Sequence, residues 1–225
     1  MVMVNIKVPE TIRKELLKWF NRNGRNYFWR VYNDPYTILM AELLLKKTSA
    51  KAVNRFLPHF LENYGSIREL NKAPETELVR ILGPLGLSSQ RARQINRLAR
   101  ELVLSYDSKI PYSRDDLLKL PGIGEYTAGA LLSFSFGRPE AIVDTNVARV
   151  LIRIWGIKPS RCEPRRSPEV WDKAKQLIDS QPNQAARINW ALLDFGALIC
   201  KSRLPICDEC PLMGICVFVA CKASF

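Results

Sequence analysis

Residues 113–137 read SRDDLLKL-PGIG-EYTAGALLSFSFG, two helical stretches joined by a turn of only four residues. Pro121 ends the first stretch, because its ring removes an amide donor and blocks continuation of the helix. Gly122 and Gly124, on either side of Ile123, allow positive φ or a close backbone approach, and they leave the first amides of the next helix uncovered. Such a helix start offers unpaired N–H groups at the positive end of the dipole, which suits an anion. The same residues also fit a plain helical hairpin in which glycine only turns the chain. Net charge favours the anion: 34 Lys and Arg against 22 Asp and Glu give +12. Side chains of that sign displace counterions from a phosphate backbone.

The remainder of the chain keeps the same period. Apolar residues recur at helical spacing over 11–23, 35–65, 88–107, 113–120, 125–137, 145–156, 167–180 and 186–200. Ser88, Ser113 (with Asp116 three residues on) and Ser167 read as N-caps. No alternation of period two is long enough for a sheet, so the chain is predicted to be all-α, with roughly ten helices. The opening stretch MVMVNIKVPETIRKELLKWF lacks an apolar run of signal-peptide length, and no segment is long and apolar enough to span a membrane. An intracellular location is expected, where six cysteines stay reduced. A monomer is the default.

Three further features carry chemistry. GRPEAIVDTNVARV delivers Asp144 to the start of a helix, a position that suits an N-cap as well as a catalytic carboxylate. PYTILMAELLLKK is apolar on nearly every side yet holds Glu42 in its middle, and a buried carboxylate is costly unless it is paired or used. CKSRLPICDECPLMGIC places Cys200, Cys207, Cys210 and Cys216 at C-x6-C-x2-C-x5-C. Four thiolates at such spacings suit a [4Fe–4S] cluster, a structural zinc ion or disulfides, and the chemistry alone leaves these open.

Taken together, the hairpin, Asp144 and the 6-2-5 cysteine spacing resemble the endonuclease III family of DNA glycosylases (the helix–hairpin–helix, or HhH-GPD, superfamily). The likeness covers about residues 28–216. It implies two helical domains with a DNA cleft between them: a six-helix barrel over 28–136 and a discontinuous iron–sulfur domain over 1–27 and 137–225. It implies a [4Fe–4S] cluster on the four cysteines, with Cys162 and Cys221 outside the set. Its partner would be duplex DNA carrying a mispaired or deaminated base, gripped through a phosphate by Gly122, Ile123 and Gly124.

By the same resemblance, Asp144 stabilises positive charge on the sugar while the base departs, and Asn146 orients water. Tyr126 stands where bifunctional relatives carry a strand-cutting lysine, which implies a monofunctional enzyme. Leu87 would wedge into the base stack, Lys46 or Lys47 would fill the vacated space, and Lys201 and Arg203 would meet phosphates. Glu42 matches the acid that protonates the purine in the adenine-specific branch. Lys46-Lys47, Leu87-Ser88 and the nine residues after Cys216 instead resemble thymine and uracil mismatch glycosylases of the archaeal type. Thymine or uracil opposite guanine is the expected substrate; adenine opposite guanine or 8-oxoguanine is the alternative. A non-catalytic DNA-binding protein with a structural metal explains the charge, the hairpin and the cysteines, but neither Asp144 nor Glu42.

Overall fold

A computed structural model describes residues 7–32, 34–179 and 181–222. The described residues hold twelve α-helices, short 3-10 turns and no strand, as the helical period predicts. Residues Asn26–Phe136 make one compact unit; the chain up to Arg25, with Gly137 onward, makes the other.

In the central unit, α2 (Pro35–Leu45) is buried at every position from Thr37 to Leu44. It packs against α3 (Ala50–Asn63) and α8 (Glu125–Phe134), while α4 (Ile67–Lys72) and α5 (Glu75–Leu82) lie against α6 (Ser88–Tyr106). The hairpin is formed by α7 (Arg114–Lys119) and α8.

Residues 35–65 form two helices rather than one. The chain breaks after Leu45, where Lys47 takes a left-handed φ of 56° and the Ser49 side chain caps α3 by accepting from Ala52 N. The Ser113 hydroxyl caps α7 through the amide of Asp116. Ser88, in contrast, is the first helical residue of α6; the cap position falls to Leu87, which has no side-chain oxygen to offer. Ser167 is fully buried just before α10 (Pro168–Asp179), and its hydroxyl accepts from Arg161 N across a loop.

The flanking unit is built on α1 (Lys7–Asn23), α9 (Thr145–Trp155), α10 and α11 (Ala185–Leu198), with α12 (Val217–Lys222) against α9. Ile12, Leu16 and Trp19 of α1 join Val147, Leu151, Leu177, Ile188 and Phe195 in one apolar core. Trp19 meets Phe195 edge-on at 5.2 Å between ring centroids, a favoured aromatic geometry. Asp194, fully buried on α11, accepts from the backbone N (2.7 Å) and Nε (2.8 Å) of Arg25.

Candidate active site and nucleic-acid interface

Asp144 is the N-cap of α9: its Oδ1 accepts from Val147 N at 2.7 Å. Its Oδ2 accepts from Asn146 Nδ2 at 3.1 Å. Each carboxylate oxygen therefore has one donor, which fixes its rotamer, while the residue stays partly exposed. The segment leading into it is pinned from α11 by Asn189, whose Nδ2 donates to Glu140 O (2.7 Å) and whose Oδ1 accepts from Ile142 N (3.2 Å).

Behind Asp144 stands a support that the sequence did not reveal. Arg149 Nη2 donates to Asn146 Oδ1 at 2.8 Å and to Gly196 O at 2.7 Å, and its Nε donates to Cys200 O at 2.9 Å. Both polar ends of Asn146 are thus engaged inside the protein, one on Asp144 and one on Arg149. A Cβ at Gly196 would lie 2.8 Å from Asn146 Cβ, so glycine is what lets α11 approach α9 there. Burial lowers the Arg149 pKa from its ordinary value; Arg153 adds to the lowering, against the raising charges of Cys200 and Asp144. The sequence signal was slight, an arginine on an amphipathic helix and a glycine within an apolar one.

In the hairpin, Gly122 has φ +79°, a left-handed conformation that calls for glycine, and a Cβ there would also displace the Gln94 side chain. Gly124 precedes α8, which begins without a side-chain cap, and a Cβ on Gly124 would meet nothing within 4 Å. The Ile123 side chain is buried at 7% exposure and its amide donates to Leu120 O, which anchors the turn to the core. Tyr126 lies in the first turn of α8, partly exposed.

Lys46 reaches the hairpin from the end of α2, donating from Nζ to Gly122 O at 2.7 Å. Its pKa is lowered chiefly by burial, with Glu42 raising it and Arg91 lowering it further. Glu42, buried at 5% exposure, is therefore close enough to act on Lys46 electrostatically. Lys47 is exposed. Leu87 is half exposed at 50% on a left-handed backbone of φ 53°, directly after Gly86 at φ 72°.

Cys200, Cys207, Cys210 and Cys216 are all free and partly buried. They act on one another electrostatically: the other three thiols add to the burial that pushes Cys210 up to about 11. Cys216 is raised in the same way, first by burial and then by Cys200 and Cys207. Among the described residues, no three His, Cys, Asp or Glu side chains stand arranged for a metal ion. The four thiols are free of disulfides, and thiols raised by burial shed their protons most readily to a compensating positive charge. Lys201 and Arg203 are exposed on the loop that begins at Cys200.

Comparison with known proteins decides the family. Residues 40–175 match the model of the HhH-GPD superfamily base excision DNA repair protein, more than half of the chain. The chain belongs to that superfamily. It is 36% identical to the thymine-DNA glycosylase of Aeropyrum pernix over 93% of this chain and 94% of that one. It is 37% identical to the thymine/uracil-DNA glycosylase of Pyrobaculum aerophilum over 92% and 90% of the two chains. A solved thermostable thymine-DNA glycosylase superposes with a TM-score of 0.87 at 31% identity, covering 94% of this chain and 96% of that one. This HhH-GPD chain is accordingly a base excision DNA glycosylase, and its partner is DNA.

Proposed function

We propose that this glycosylase hydrolyses the N-glycosidic bond of a thymine or uracil mispaired with guanine and leaves an abasic site. The observation that carries the mechanism is the Asp144 carboxylate, fixed at the head of α9 by Val147 N and Asn146 Nδ2. A carboxylate held beside C1′ of an extruded nucleotide stabilises the charge growing on the sugar as the base departs, without reorganising first. Asn146 and Arg149 keep that carboxylate aimed, and the oxygen lone pairs left over after capping are those offered to the sugar or to attacking water.

The mispair lowers the cost of extrusion, which supplies part of the selectivity. Leu87, half exposed, takes the place of the extruded base in the stack. Because Lys46 is engaged by the Gly122 carbonyl, the filling role passes to exposed Lys47. The uncapped start of α8 after Gly124 receives a DNA phosphate, with no dependence on sequence. A pyrimidine has no N7 to protonate, so Glu42 serves by hydrogen bonding to the extruded base. The four thiolates of Cys200, Cys207, Cys210 and Cys216 hold a [4Fe–4S] cluster, which when bound supplies a structural crosslink rather than a reacting group.

Single-turnover excision on G·T, G·U and A·8-oxoguanine duplexes tests the substrate. Cleavage of G·T and G·U with an inert adenine duplex is expected; preferential release of adenine overturns the assignment.

A further inference from the structure

Arg91 lies on the inner stripe of α6 with Ile95, Leu98 and Leu102, at 6% exposure. Its guanidinium is spent entirely on backbone and hydroxyl acceptors from two separate segments. Nη1 donates to the carbonyls of Leu43 and Leu44, both at 3.1 Å. Nη2 donates to Lys46 O at 2.7 Å and to Thr48 Oγ1, while Nε donates to Gly86 O at 3.0 Å. Thr48 Oγ1 in turn donates to Leu85 O at 3.4 Å. The first of these carbonyls belong to the last turn of α2, where no amide of the helix remains to meet them and the dipole favours a cation.

The two segments share a second property. Each carries a non-glycine residue in the left-handed region, Lys47 at φ 56° and Leu87 at φ 53°. Such conformations cost energy and persist only where the surroundings over-determine them. Arg91 is bonded on both sides of Lys47 and to the residue before Leu87.

We infer that Arg91 is a positioning residue that locks the Lys47 loop and the Leu87 turn into one rigid unit, so that wedge and filler enter the duplex together. The inference rests on the proposed thymine/uracil mismatch reading. It predicts a defect in extruding a base, with the chemistry at the sugar left largely alone. Lysine cannot replace this arginine, because a single ammonium has no fork with which to span both segments.

The test uses the full chain with Arg91→Lys, on uracil opposite guanine in a duplex and on the same uracil in the unpaired strand. Duplex excision is expected to slow by about tenfold or more, and unpaired excision by less than about threefold, since displaced groups impair only the step they serve. Fluorescence of a 2-aminopurine placed beside the uracil, which rises when its neighbour leaves the stack, is expected to rise less. In the Arg91→Lys background Leu87→Ala should add little, because residues acting as one unit are not additive. If Arg91→Lys does not fold, Thr48→Val, which removes one acceptor and the link to Leu85, is read in its place for the same duplex-selective loss. Equal losses on both substrates, no loss on either, or full additivity with Leu87→Ala overturns the inference. A wild-type chain that excises uracil from neither substrate overturns the proposed thymine/uracil assignment, and this inference with it.

Discussion

Tyr126 sits in the first turn of α8, partly exposed, where a relative that cuts the strand would need a primary amine. A phenol oxygen cannot form the Schiff base that borohydride traps. Reaction with an excised duplex in borohydride should therefore yield no covalent protein–DNA adduct, and Tyr126→Lys should create one; efficient trapping by the unaltered chain would contradict the monofunctional assignment. At this scale the residues proposed to touch substrate were legible, because their chemistry is out of place in the pattern. Glu42 is an acid in an apolar helix, and Asp144 follows an apolar segment. Their supports were not legible. Arg149 and Gly196 lie 47 positions apart, and only the fold shows that the guanidinium meets that carbonyl. Arg91 did carry a signal, a charge on the apolar stripe of α6, although its acceptors lie more than 40 residues away on the α2 side.

The elements follow the hydrophobic period closely where a helix is amphipathic, as in α1, α6 and α9. The period fails in 35–65, where α2 is buried all round and gives no phase by which to see the break. The signal there was local, Ser49 as a cap. Short helices such as α4 and α5 escaped notice because a few residues hold too little periodicity. The cysteine loop is an element of another kind, held from α9. Arg153 donates to Lys201 O (2.6 Å), to Ser202 O (2.8 Å) and to the Cys200 sulfur (3.5 Å). With its backbone so fixed, the loop presents Lys201 and Arg203 outward. If both meet phosphates, the double variant Lys201→Ala/Arg203→Ala should bind all DNA sequences more weakly, and the salt slope of log K should fall in magnitude by about 2. Titrations across ionic strength check this, and an unchanged slope removes the two residues from the interface.

Over the whole molecule, the flanking unit joins two ends of the sequence, and the Arg25–Asp194 pair ties them across 169 positions. Asp194 is fully buried whereas Arg25 keeps partial access to water, so losing the arginine side chain leaves a buried carboxylate with its charge less well compensated. Arg25→Ala should destabilise the fold by about 3 kcal/mol, somewhat less where the Arg25 amide still satisfies one oxygen. Denaturant unfolding measures it, and a midpoint equal to that of the unaltered chain would contradict it. In the proposed reaction one carboxylate, Asp144, drives base loss while other residues grip and open the DNA. Asp144→Asn keeps an oxygen to cap α9 but removes the charge. Single-turnover excision by this variant on a G·U duplex, read beside its DNA affinity, is the direct measurement. A rate lower by roughly a thousandfold or more, with affinity retained, is expected. Near-normal excision by the asparagine variant would contradict it.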